Sequence, residues 1–427
     1  MKRLLACILA ATLSLSVLAG CSNSSTPSGS SSTASQSAPG KVTVKFINGF
    51  TGGDGAFMTK IVDSFNASQD QYYVEQLITA DHYTKFKTDD FDMLIIHADR
   101  ISTYHADGLL REVSDIYNAA GLSLENDFHT ITQTYAKYDD GVFAFPLDLY
   151  ADTMYYNKEL VKNPPKTYDD ILALKTELDS EKSGVYPVAI PLSGDNDWLV
   201  CAMLYQNNVN FIEDGHLKLD TDEAAEALLK LNKMIYSDKI SAPNMAANDD
   251  INAFLKKSEG GTNIQAALSL TGPWNFTAAK ETLGDNLGIA PFPTLGDSLA
   301  VPAGGHTFAV SAKVTDQAKL DAIAAFLKYA YTPDVMLNWA DSGQAPIHLA
   351  TMEKVKADPV KYPVAAVNYQ IFDNARILPA VYNIREQMSY VYSTVWELIY
   401  SVPDLTKEAL MEELKNATEI ATELSVQ

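Results

Sequence analysis

The stretch that most constrains this chain is Asp139–Leu160, DDGVFAFPLDLYADTMYYNKEL. It opens on Asp140-Gly141, a turn signal. A β-prone run, Val142–Phe145, follows and stops at Pro146, because proline has no N–H for a ladder. A second β-prone run, Thr153–Tyr156, ends at Asn157. Between them Asp148-Leu149-Tyr150-Ala151-Asp152 sets two carboxylates and a phenol at a point where the chain crosses from one strand to the next.

The remainder of the chain must be built around that crossing. Its 427 residues suffice for two or three domains with real cores. Strand–helix alternation predicts a parallel α/β sheet in the first part. Lys41–Asn48 reads as a strand, followed by the glycine-rich loop Gly49–Gly55 and a helical pattern over Ala56–Phe65. Tyr72–Ile78 and Phe91–His97 read as further strands. The loop lacks the GK[ST] ending of a P-loop, so phosphate chemistry is not implied. Phe50 and Asp54 in that loop, and Asp99 after the third strand, stand at carboxyl ends of strands, where open α/β sheets bind ligands.

In the second part, Thr167 and Asp170 frame a capping box for a helix over Ile171–Leu178. Val188–Pro191 reads as a strand, and Ser193–Trp198 as a loop entering the apolar helix Leu199–Tyr205. Thr221–Tyr236 is amphipathic. Ala266–Thr271 is a strand running into Gly272-Pro273-Trp274. Leu287–Pro291 precedes Gly304-Gly305-His306 and a strand over Thr307–Val310. Helices are expected at Ala318–Tyr331, Pro333–Trp339, Tyr382–Tyr400 and Leu405–Leu424, with a further crossing at Tyr369–Ala380.

Asp140-Gly141, Phe145-Pro146 and Tyr155-Tyr156-Asn157-Lys158, the apolar strand before Gly272-x-Trp274, and Gly304-Gly305 before a strand occur here in one order. That order resembles the bacterial extracellular solute-binding proteins of sugar ABC importers, the maltose-binding-protein type. The run after Gly108-Leu109 departs from the family, with Arg111-Glu112-Val113 where Pro-Leu is usual. The resemblance implies a two-lobed α/β fold of the periplasmic-binding-protein type (type II) joined by a multi-segment hinge. It implies lobe 1 from residues 41–150 and 303–372, and lobe 2 from residues 151–302 and 373–427. It also implies a ligand cleft at the crossings, a carbohydrate cargo and ABC permease subunits as partners, with the protein a monomer needing no cofactor.

On that reading Phe50, Tyr150, Trp198 and Trp274 offer faces to a sugar, since a pyranose has a C–H face that packs on an aromatic ring. Asp54, Asp99, Asp148 and His306 take its hydroxyls. Trp339, Tyr382 and Arg385 are weaker candidates. His82, His97 and His306 come from separate loops without metal-ligand spacing and read as ordinary cleft or surface histidines. Two other readings stay open. Asp148 and Asp152 are a conceivable acid/base pair of a glycoside hydrolase, although GxSxG and HExxH signatures are absent. The same fold also suits a polyamine, a peptide or another cation.

The amino terminus addresses location. Met1-Lys2-Arg3 is a positive n-region, and Leu4–Val17 is apolar but short for a spanning helix. Leu18-Ala19-Gly20-Cys21 resembles a lipoprotein signal, which implies a signal peptide of residues 1–20, cleavage before Cys21 and lipid on its sulfur. Residues 21–40 are mostly small and polar and read as a flexible tether. Of the three cysteines only Cys201 lies in the body, so no internal disulfide is available there. The formal net charge of -22 argues against nucleic acid, whose phosphates it repels.

Overall fold

The computed structural model describes residues 40–138, 140–182, 184–192, 196–243, 249–256 and 264–426. Cys21, the signal peptide and nearly all of the tether lie outside the described residues, as do Asp139 and Ser193–Asp195.

The first sheet has five strands in the order Tyr72–Ile78, Val42–Asn48, Met93–His97, His306–Val310, Phe145–Pro146. Its first three are parallel, and Val44, Phe46, Ile47 and Met93–Ile96 are buried. Such continuous apolar runs are expected where helices cover both faces of a sheet. The next two are antiparallel to their neighbours. The sheet is therefore mixed and not purely parallel, because its last two strands are supplied by chain that re-enters from elsewhere.

The second sheet runs Leu287–Pro291, Thr153–Asn157, Gln265–Thr271, Val185–Val188. Thr153–Asn157 is antiparallel to both neighbours, and Val185–Val188 is parallel to Gln265–Thr271. A small third sheet, Ala375–Ile377, Val301–Gly304, Tyr150–Ala151, is made entirely from crossing segments. The stretch singled out above thus gives Phe145–Pro146 to the first sheet, Tyr150–Ala151 to the third and Thr153–Asn157 to the second. Residues 301–310 repeat the pattern, with Val301–Gly304 in the third sheet and His306–Val310 in the first.

Several elements differ in extent from the sequence reading. The run Val142–Phe145 is split: Gly141–Val142 turns back on Lys137–Tyr138, and Phe145–Pro146 joins the first sheet. The strand expected at Val188–Pro191 lies at Val185–Val188, in register with Gln265–Leu268. Beyond it the Ile190 N–H is taken by the Ser241 hydroxyl, and Pro191 has no N–H to offer. The helix expected over Tyr382–Tyr400 begins at Ile384, after Asn383 in the left-handed region, and contains a π-helical segment at Val391–Val395. The Thr167–Asp170 capping box is present, with both reciprocal hydrogen bonds formed.

Candidate functional site

The three sheets meet around a cavity of about 420 Å³, within the ordinary size of a small-molecule site. Its wall includes Phe50, Asp54, Asp99, Tyr150, Trp198, Trp274 and His306, seven of the eight residues named from sequence.

The aromatic side is built by backbone rules. Gly272 precedes Trp274, and a Cβ built at 272 overlaps the indole edge, lying 2.6 Å from Cε3. A glycine there lets the ring fold back over the strand end. Gly304 does the same for Tyr150, whose ring Cε2 lies 2.6 Å from where a Cβ would stand. The result is an aromatic corner. The Trp198 and Trp274 rings are tilted by 33° with centroids 5.6 Å apart. Tyr150 stands edge-on to them at 5.9 and 5.8 Å.

The opposite side comes from the carboxyl ends of the first sheet's strands. Phe50 follows Val42–Asn48, its N–H donating to the Asn48 side-chain oxygen at 3.1 Å. Asp54 stands just before the helix Gly55–Ser68 without capping it through its side chain. It accepts instead from Gln344 Nε2 at 3.3 Å. Burial raises the Asp54 pKa. Asp99 lies in the short helical turn after Met93–His97, and Arg385 sits between two carboxylates. Arg385 Nε is 3.5 Å from Asp99 Oδ2 and Nη1 is 3.5 Å from Asp197 Oδ2. Burial raises Asp197 as well, opposed by the Arg385 charge.

Asp148 requires a correction. It is fully buried and does not line the cavity. Its oxygens accept from the His306 backbone N–H at 2.8 Å, His306 Nδ1 at 2.9 Å and Trp339 Nε1 at 2.7 Å. It therefore orients His306 from behind and is not placed to take a ligand hydroxyl. Trp339 is likewise fully buried, and Tyr382 points to Asp107 with a hydroxyl bond of 3.2 Å. Arg385 alone of the weaker candidates reaches the wall. Asp152 is buried and, like Asp148, absent from the wall, so the acid/base pair imagined for a hydrolase does not face the cavity.

All three histidines line the cavity. The His97 and His306 rings are 4.8 Å apart, and the Tyr83 hydroxyl is hydrogen-bonded to His97 Nδ1. Burial holds the pKa of His82 and His97 below the usual imidazole range, and well below it for His97. Among the described residues no group of three or more His, Cys, Asp or Glu is arranged to hold a metal ion. The sequence reading missed Tyr83, Arg100, Tyr205, Gln344, Arg376 and Tyr392 as wall residues. A pointer to Gln344 existed in the preceding Ser342-Gly343, where Gly343 has a φ of +98° and turns the chain inward after the helix Pro333–Asp341.

The family model described as "Bacterial extracellular solute-binding protein" matches residues 60–363. A maltotriose-binding protein of Pyrococcus abyssi is 25% identical over 281 residues, 64% of this chain and 58% of that protein. The chain thus spans less than two thirds of that relative's length. An sn-glycerol-3-phosphate-binding periplasmic protein of Brucella abortus is 22% identical over 72% of this chain and 75% of its own. Among solved structures, the GacH receptor of Streptomyces glaucescens, described unliganded and with acarbose, superposes with a TM-score of 0.74 at 16% identity, covering 90% of this chain and 99% of that one. The two-lobed fold of the periplasmic binding proteins is therefore the fold of this chain.

Proposed function

The chain belongs to the bacterial extracellular solute-binding proteins, and from that premise we propose that it is the receptor of an ABC importer, holding a sugar or oligosaccharide in the cavity between its lobes. The observation that carries the reading is the Tyr150–Trp198–Trp274 corner, which offers flat apolar faces in a wall otherwise rich in hydrogen-bonding groups. A pyranose presents that same combination, a C–H face and a rim of hydroxyls. A relative named for maltotriose binding and a structural neighbour described with acarbose support it.

On this reading Phe50, Tyr150, Trp198 and Trp274 pack against the ligand, Asp54, Asp99 and His306 bond its hydroxyls, and Asp148 holds His306 in position. The lobes are residues 41–150 with 303–372, and 151–302 with 373–427. They close by bending at the crossings, and the loaded form docks on the permease. On this reading the cargo is released unchanged; Asp148 and Asp152, the pair considered for a hydrolase, do not face the cavity. Cys21 carries the lipid that tethers the protein, as a monomer, to the outer face of the cell membrane. No helix among the described residues is long and apolar enough to cross it.

The test is a thermal-shift screen of the purified protein against neutral mono- and oligosaccharides, maltotriose among them. A ligand at 100 times its Kd adds about 2.7 kcal/mol of stability. A saccharide hit with no change in the sugar recovered afterwards is the expected result. Release of reducing ends from an oligosaccharide would overturn it.

A further inference from the structure

The polar atoms of the wall say more about the kind of ligand. Two buried side-chain oxygens in it, Asp99 Oδ1 and Gln344 Oε1, have no hydrogen-bond partner. Gln344 is only 1% exposed. Its Nε2 donates to Asp54 Oδ2, which fixes the sense of the amide. An ionised carboxylate has no proton to give, so the amide meets Asp54 through its NH₂ and keeps its oxygen as a free acceptor. Asp99 Oδ1 is an acceptor too, its partner oxygen facing Arg385. A buried acceptor left without a donor is destabilising. A ligand that supplies the donor relieves that.

Two of the three arginines of the wall are paired with carboxylates. Arg385 is held between Asp99 and Asp197. Arg100 pairs with Glu386 at 2.9 Å and lies over the Tyr83 ring. Arg376 is exposed and meets backbone carbonyls, that of Ala375 at 2.9 Å, with no carboxylate partner among the described residues. The Nδ1 of His306 is bonded to Asp148, and burial keeps His82 and His97 toward the neutral form.

We propose that Asp54, Asp99 and Gln344 form an acceptor wall that admits ligands presenting hydrogen-bond donors, here the hydroxyls of a neutral saccharide, and rejects phosphorylated or carboxylated ones. Gln344 determines specificity by accepting from a ligand hydroxyl, and Asp54 is the positioning residue that turns its amide. This rests on the saccharide reading above and narrows it to uncharged sugars. It also separates this chain from its relative that binds sn-glycerol 3-phosphate. Such a ligand would bring its anion against two carboxylates and an amide oxygen, with Arg100 and Arg385 already paired to carboxylates and only the exposed Arg376 without one among the described wall residues.

The test is calorimetry and thermal shift on the purified full chain with maltotriose and other neutral saccharides, glycerol 3-phosphate and spermidine. The parent protein is expected to bind a neutral saccharide and to show no shift with glycerol 3-phosphate. Gln344→Leu should weaken the saccharide at least tenfold in a protein whose melting curve shows it folded. Asp54→Asn should weaken it too, because an asparagine NH₂ can donate to Gln344 and turn the amide round. The exchanged pair, Asp54→Asn with Gln344→Glu, restores an acceptor facing the cavity and should recover affinity, which a purely structural role would not. Binding of glycerol 3-phosphate by the parent would overturn the proposal. So would a folded Gln344→Leu, or a folded Gln344→Lys as the second variant, with unchanged saccharide affinity. A shift with spermidine and none with any saccharide would sink the saccharide reading and leave the acceptor wall standing.

Discussion

Gly272→Ala tests the aromatic corner by adding one methyl group outside the cavity's named contacts. Gly272 has φ -90° and ψ -176°, a backbone that alanine adopts without strain. The added Cβ would lie 2.6 Å from Trp274 Cε3, against an ordinary carbon contact of about 3.5–4.0 Å. The ring must therefore move by about 1 Å or more. Its tilted contact with Trp198 at 5.6 Å and its edge contact with Tyr150 at 5.8 Å are both disturbed. Aromatic pairs of this kind contribute about 0.5–1.5 kcal/mol each. Displacing the indole face that packs on the sugar should cost about 2 kcal/mol of binding, roughly 30-fold in Kd. The two ring contacts exist in the free protein, so disturbing them should lower its stability by about 1–3 kcal/mol. Isothermal calorimetry with the saccharide found in the screen, beside a chemical denaturation curve, reads both quantities. The decisive control is the cycle with Trp274→Ala. If Gly272→Ala weakens binding as much without the indole as with it, displacement of the ring is not the cause.

Three further outcomes follow from the buried polar groups. Asp148→Ala leaves three buried donors from His306 and Trp339 without an acceptor, at about 1–3 kcal/mol each before relaxation; urea denaturation should show a loss of several kcal/mol, and a loss under about 1 kcal/mol would refute the network. Burial raises the Asp54 pKa above 3.8, so the native state holds that proton more tightly than the unfolded chain does and stability falls as pH rises through the window above 3.8. Asp54→Asn should accordingly be more stable than the parent at pH 7, with the difference vanishing below pH 3.8, as denaturation curves at both pH values would show. Cys201 is buried with its thiol pushed up to about 12, so it should resist iodoacetamide in the native protein at pH 8 and react on unfolding; rapid labelling of the folded form would contradict its placement.

How far the sequence reached depended on how local each signal was. Gly272 and Trp274 are two residues apart, and the place of Trp274 at the cavity was legible in that short pattern. The strand Tyr72–Ile78 was legible in the sequence, and its bounds agree with the reading. Asp148 was misassigned because the direction of its carboxylate is set by His306 and Trp339, 158 and 191 residues further on. No local pattern tells Asp148, turned inward, from Asp54, which reaches the wall. Gln344 was invisible for the same reason, since the partner that gives it meaning lies 290 residues earlier. The mixed character of the first sheet escaped because strand direction depends on where the chain returns, and the return is not encoded in the strand that returns.

The recurrent passage of the chain among its three sheets also dictates a timetable. Met93–His97 stays without its neighbour on one side until His306–Val310 has been made, and the bond between Thr307 and Ile96 spans 211 residues. Closing so distant a pair is slow compared with helix formation. Neither half can be completed from the portion of polypeptide that a ribosome releases first. A chain wired in this way gains its final form only when its last third arrives.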